Sequence, residues 1–169
     1  MKKALITRCL IILICTLVVG KYKKNMPVSS PIMIIENDAD DRFFFENIIS
    51  QLHVKNKIIW FDNTEEAYRY LVDVSDNTFI IFCDINLPGR DGLKFKKDID
   101  KHASLRKKSI PFIFYSTSAK IHDVDEAFEQ MSVQGFFKKH SDFVSSKKQI
   151  KLILDYWKES EHPTKHAIR

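Results

Sequence analysis

From Pro31 onward, short apolar runs alternate with longer segments in which apolar positions recur every three or four residues. The runs IMIIE (32–36), KIIWF (57–61), FIIFCD (79–84), PFIFYS (111–116) and GFFKK (135–139) are brief and rich in Ile and Phe, the make-up of strands. The segments between them carry helical stripes: Phe45, Ile48, Ile49 and Leu52; Ala67, Tyr70, Leu71 and Val74; Val124, Ala127, Phe128 and Met131; and Ile150, Ile153, Leu154 and Trp157. A shorter helix is expected from Gly92 to Asp100. Asn63 followed three residues later by Glu66 has the form of a capping box and sets the start of the second helix.

The alternation predicts five strands and five helices. Strands that are apolar at every position are buried on both faces, and helices between them supply right-handed crossovers to a parallel sheet. The expected fold is therefore α/β, an open, doubly wound, five-stranded parallel sheet. In such sheets the functional site lies beyond the carboxyl ends of the strands, where the strand order reverses. The polar residues at those ends are Glu36, Asn37 and Asp38, then Asp84 and Asn86, then Ser116 and Thr117, and finally Lys139.

Composition changes this picture little. The chain has 169 residues, enough for one well-buried core, and a net charge of +5. Six of its 27 basic residues lie within positions 1–25, which hold no acid, and the remaining 21 face 22 acids, so the body is no polyanion binder. The stretch from Lys94 to Lys108 is basic, but Asp98 and Asp100 interrupt it and no repeated aromatic interleaving follows the single Phe95, so it is expected to be a solvated helix and loop, not a nucleic-acid patch. Two of the three cysteines lie in the leader and Cys83 in an apolar run, so no disulfide framework is expected. The six histidines show no paired ligand spacing and give no transition-metal site. The leader itself, with the apolar run Cys9–Gly20 flanked by three basic residues on each side, reads as a signal-like segment, a membrane anchor over 4–20, or a mis-assigned start ahead of Met26.

An acidic cluster, a lone aspartate, hydroxyls and an ammonium on one rim suit phosphoryl chemistry on a carboxylate. Acidic residues hold Mg²⁺, which prefers oxygen ligands, and Asp84 is the nucleophile. Lys139 neutralises the oxygens of the transferred group, and a hydroxyl donates to the product phosphate. Strand alternation points Lys139 to the rim and Lys138 away from it.

At this point the sequence resembles the receiver domain of a chemotaxis-type, single-domain response regulator, with a flavodoxin-like fold, over Pro31 to Glu159. IIENDADDR resembles the acidic turn after the first strand, DINLPGRDG the phosphoacceptor loop, YSTS the switch-hydroxyl segment and GFFKKH the last strand with its lysine. The resemblance implies that Asp84 accepts the phosphoryl group, and that Glu36, Asn37, Asp84 and Asn86 hold Mg²⁺, Asn86 through its backbone carbonyl. It gives Ser116, with its neighbour Thr117, the place of the switch hydroxyl, and it makes Lys139 the paired lysine and Phe136 the rotating aromatic. The donor would be a histidine kinase or histidine phosphotransfer protein in the cytoplasm, and the chain would be no enzyme beyond self-phosphorylation and autodephosphorylation.

Two positions depart from the pattern. Asn37 stands where receivers carry a second metal-binding aspartate, and His140 where a proline normally follows the lysine. An amide brings no charge, so weaker metal binding is expected, while Asp38 is better placed to cap the first helix. The neutral position 37 keeps a second reading open, a degenerate receiver that binds partners without phosphorylation. A haloacid-dehalogenase-type phosphatase would need a second aspartate at position 86, which is asparagine. The expected organisation is a leader (1–25), a linker (26–30), the receiver domain (31–159) and a short polar tail (160–169), too short for an output domain.

Overall fold

The computed structural model describes residues 30–74, 78–118 and 120–160. The expectations for the leader, most of the linker and the tail beyond Ser160 lie outside them. Among the described residues the order is β1 (Ile32–Ile35), α1 (Ala39–Gln51), β2 (Ile58–Phe61), α2 (Thr64–Asp73), β3 (Ile80–Cys83), α3 (Gly92–Lys101), α4 (Ala103–Lys108), β4 (Phe112–Ser116), α5 (Ile121–Gln130), β5 (Gly135–Lys138) and α6 (Phe143–Glu159). No helix among them is long and apolar enough to cross a membrane.

The strands form one parallel sheet in the order β2-β1-β3-β4-β5, the doubly wound arrangement that the alternation predicts. Because side chains alternate along a strand, each apolar run serves both faces. Ile32, Ile34, Phe82, Ile113 and Tyr115 join Phe45 and Ile48 of α1 and Ile150 and Leu154 of α6 in one core. Met33, Ile35, Ile81, Cys83, Phe112 and Phe114 join α2, α3, α4 and α5 in the other, through Leu71, Phe95, Leu105 and Ala127.

Among the described residues six helices are present where five were expected. The helix that starts at Gly92 stops at His102, whose extended backbone (φ −82°, ψ 110°) ends α3 and caps α4. Its ring Nδ1 lies 3.5 Å from the Leu105 amide. The short α4 delivers Lys108 to the open end of α2, where its ammonium donates to the carbonyls of Leu71 (3.1 Å) and Val74 (3.0 Å). Those carbonyls have no partner within the helix, and a cation there also suits the helix dipole. The stripes also run slightly past the helices. Leu52 and Val74 are cap residues, and Phe128 is exposed because α5 buries only Ala127.

The expectation of a solvated basic stretch holds at Lys94, Lys101, Arg106 and Lys107, which are exposed, and fails at Lys96. Lys96 is buried, with its ammonium 2.7 Å from Asp100 Oδ1, 3.0 Å from Ser132 Oγ and over the Phe112 ring. Asp100 in turn accepts from the Ser132 amide at 3.1 Å and the Ser132 hydroxyl at 2.6 Å. Lys97 pairs with Glu126 of α5. Burial lowers the affinity of Lys96 for its proton even with Asp100 beside it. At Asp100 burial alone acts upward, but the Lys96 and Ser132 hydrogen bonds outweigh it and hold the carboxyl below its ordinary value. The aspartate therefore contributes stability above the unfolded-state value near 3.8, and that contribution is lost as the pH falls through its depressed folded value.

Replacing Asp100 with alanine leaves the buried ammonium without its acid. Removing one partner of a buried pair costs about 3–5 kcal/mol. Urea denaturation is expected to show a loss of that order for Asp100→Ala and a much smaller one for the double variant Lys96→Met/Asp100→Ala. A loss below about 1 kcal/mol in the single variant would show that Lys96 reaches water there.

Candidate functional site

Parallel register places the strand ends side by side. Ile35 is level with Cys83 and Phe61, and Ser116 with Lys138. The ladder continues one step beyond the strands. The Glu36 amide donates to the Phe61 carbonyl (2.9 Å), that of Asp84 to Ile35 (3.0 Å) and that of Lys139 to Ser116 (2.9 Å). Glu36, Asp84 and Lys139 are thus held by the sheet itself, which fixes them better than a loop would.

Asp84 is buried, and its Oδ1 accepts from the following amide, Ile85, at 2.7 Å. The start of α3 presses on the same backbone. A Cβ on Gly92 would lie 2.3 Å from the Asp84 carbonyl oxygen, so only glycine fits there. Glu36 is equally buried; one of its oxygens accepts from the Asp38 amide at 2.9 Å and the other from Lys139. Lys139 also reaches Asp41 Oδ2 at 2.6 Å and lies over the Tyr115 ring. Lys138 is exposed, as strand alternation requires.

Ser116 is fully buried, with its hydroxyl 3.4 Å from the Asn86 amide nitrogen. The same nitrogen donates to Ser118 Oγ at 2.7 Å, so Asn86 bridges the loops after β3 and β4. Thr117 is exposed on the rim of a cavity of about 430 Å³. Glu36, Asp84 and Lys139 also line that cavity, and Trp60, Phe82 and Tyr115 form its apolar side. Phe136 is half-buried, its ring 5.6 Å from that of Phe114. Asn37 is exposed, and Asp38 caps α1 by accepting from the amides of Asp40 (2.8 Å) and Asp41 (3.1 Å). Among the described residues, no three His, Cys, Asp or Glu side chains form a ready-made metal cage.

Burial raises the Glu36 carboxyl, Lys139 pulls it back, and the charge of Asp84 adds to the rise. Burial acts against the Lys139 charge, but its hydrogen bonds to Asp41 and Glu36 and the fields of Glu36 and Asp84 prevail and raise it. Next to Asp84, Cys83 is a poor thiolate. Full burial pushes its thiol well up, and the charges of Asp84 and Glu36 push the same way.

The structure therefore lines one cavity with Glu36, Asp84, Thr117 and Lys139, links Ser116 to Asn86 beside them, and leaves the Asn37 side chain exposed to solvent. Sequence reasoning missed Asp41. Its signal was a second acid in the first turn of a helix whose start faces the rim.

The model of the response regulator receiver domain matches residues 32–151. The chain belongs to that family. The receiver fold is also that of solved structures with low sequence identity. The phosphorylated cyanobacterial phytochrome response regulator RcpA shares 20% identity at a TM-score of 0.70, covering 79% of this chain and 97% of its own. The Mn²⁺-bound form of the response regulator Rcp1 shares 21% at 0.68, with coverage of 79% and 97%. The receiver domain of the sensor histidine kinase PA1611 from Pseudomonas aeruginosa PAO1, with magnesium in its active-site cleft, shares 18% at 0.63, with coverage of 78% and 99%. No curated protein sequence matches the chain. Within the matched span, Glu36, Asp84, Ser116 and Lys139 stand at the carboxyl ends of β1, β3, β4 and β5.

Proposed function

We propose that this receiver domain accepts a phosphoryl group on Asp84 from the phosphohistidine of a histidine kinase or histidine phosphotransfer protein, and signals through phosphorylation-dependent protein contacts. The observation that carries this reading is a buried carboxylate on a strand end, with Glu36, Ser116 and Lys139 on the same rim. One oxygen of Asp84 bonds to phosphorus as the phosphorus–nitrogen bond of the donor breaks. The nitrogen keeps the bonding pair and takes a proton from water. Lys139 then faces the negative oxygens of the acyl phosphate, and Ser116, or Thr117 beside it, donates its hydroxyl to one of them. Ser116 must leave Asn86 to do so, and Phe136 can follow it inward.

Mg²⁺ fits the donor set. It is held through one or two carboxylates and keeps its waters, and Glu36 and Asp84 are two carboxylates close enough to raise one of them. Asn86 would add its backbone carbonyl, and Asn37 is the weakest member. When bound, the ion draws charge from the transferred oxygens. The exposed Ile121 and Phe128 of α5 and Val144, Leu152 and Tyr156 of α6 support these two helices as the surface for a downstream protein, and Phe43 of α1 and Val72 of α2 are exposed as well.

Incubation with phosphoramidate, read by intact mass, is expected to add one phosphoryl group with Mg²⁺ and none with excess chelator. Asn37→Asp is expected to tighten Mg²⁺ binding about fivefold, roughly 1 kcal/mol, by restoring a charge beside the ion. Equal affinities in a calorimetric titration would place residue 37 away from the metal. The second reading, a receiver that binds partners without phosphorylation, draws on Asn37 and on the engagement of Lys139 by Glu36 and Asp41. It predicts no mass change at any Mg²⁺ concentration.

A further inference from the structure

We propose that Asp41 is a positioning residue that parks Lys139 away from Asp84 and sets how readily that lysine crosses to an arriving phosphoryl group. The proposal rests on the acceptor reading of Asp84. Among the described residues, the ion pairs of Lys139 within 4 Å are to Glu36 and Asp41, and Asp84 is not one of them. The ammonium that must meet the phosphoryl oxygens is therefore committed elsewhere in the unphosphorylated protein.

The two holding acids differ in how easily they let go. The Glu36 side chain is 6% exposed, and its second oxygen is fixed by the Asp38 amide. The Asp41 side chain is 38% exposed, so water replaces the ammonium when the pair opens. Asp41 is nonetheless held in place. Asp38 accepts from its amide at 3.1 Å and ties the first turn of α1 to the end of β1. Glu36 is thus a fixed partner and Asp41 a releasable one, spaced so that a single ammonium spans both.

Phosphorylation would change this balance. Phosphorylation converts the single negative charge of Asp84 into about two on the phosphoryl oxygens, and a charge-assisted bond from Lys139 to those oxygens outcompetes one to a hydrated carboxylate. The exchange trades the Asp41 pair for the phosphoryl pair while Glu36 stays in reach. Asp41 also supplies an acid to the rim that residue 37 does not. A purely structural Asp41 would be an ordinary first-turn acid in a half-exposed ion pair, adding little to stability and indifferent to phosphotransfer.

The test compares the full chain with Asp41→Asn and Asp41→Glu. With phosphoramidate and saturating Mg²⁺, Asp41→Asn is expected to take up the phosphoryl group about three- to fivefold faster, the rate equivalent of one such ion pair, and Asp41→Glu to restore the wild-type rate. Separately, without donor or metal, the ¹⁵N resonance of the Lys139 ammonium, assigned by its loss in Lys139→Arg, is expected to show slowed hydrogen exchange in wild type and to lose that protection in Asp41→Asn. A rate in Asp41→Asn equal to or below wild type overturns the proposal. If the wild-type protein takes up no phosphoryl group, the acceptor reading of Asp84 fails; the parking of Lys139 then stands or falls on the ammonium signal alone, and unchanged protection in Asp41→Asn refutes it.

Discussion

Asp84→Asn protein will take up no phosphoryl group from phosphoramidate or acetyl phosphate, and it will keep its fold. The amide is nearly isosteric with the carboxylate and its oxygen can still accept from the Ile85 amide, now 2.7 Å from Oδ1, so the local turn survives. What is lost is the nucleophile, because an amide oxygen carries no charge with which to attack phosphorus. Stability is expected to stay close to that of wild type. The charge of Asp84 raises both the Glu36 carboxyl and the Lys139 ammonium, so its neutralisation removes a repulsion and an attraction together. Intact mass and a urea midpoint read both effects on one sample. Beryllofluoride with Mg²⁺ should likewise shift the NMR signals of Ser116 and Phe136 in wild type and leave them still in this variant. Uptake that persists in Asp84→Asn would place the acceptor elsewhere.

A second large effect is expected at Lys139. Lys139→Met keeps an apolar side chain of similar length but removes the cation that lies over Tyr115 and, in the proposed reaction, meets the transferred oxygens. Loss of one such electrostatic group costs about 10²–10³ in rate. The same change strands Glu36. Burial already raises its carboxyl and Lys139 is what pulls it back, so in the variant Glu36 will titrate at higher pH than in wild type. A carboxyl whose folded value exceeds its unfolded one binds protons more tightly when folded, so stability rises as the pH falls through that folded value. The variant is therefore expected to gain stability, relative to wild type, on acidification through the range just above the ordinary glutamate value of 4.5. Carboxyl ¹³C titration follows the proton directly. An unmoved Glu36 would mean that the two side chains do not share the rim.

The sheet and its rim were legible because their signals are local. Runs such as FIIFC are apolar at every position, which only burial on both faces explains, and parallel order then brings residues 36, 84, 116 and 139 to one edge without any knowledge of their contacts. The Asp38 cap and the Asn63 cap were legible for the same reason, since each bonds to an amide two or three residues away. Long-range pairs were not. Lys96 stands among charged residues in sequence, and its burial depends on Ser132, 36 positions further on. The break at His102 depends on a histidine ring acting as a cap, which composition does not separate from a continuous helix. Phe128 fits a helical stripe and is still exposed, because period alone does not say how wide a face the sheet will cover. Asp41 looked like a helix-dipole acid, and its partner lies 98 residues away.

The proposed phosphoryl group on Asp84 would be an acyl phosphate, a bond with its own chemistry. The most direct measurement treats the Mg²⁺- and phosphoramidate-loaded protein with borohydride, which reduces an acyl phosphate to an alcohol, and then maps the altered residue by peptide mass spectrometry. Reduction at position 84, dependent on both Mg²⁺ and donor, is the expected result. Reduction at another residue, or none in protein that retains its fold at saturating Mg²⁺, would contradict it.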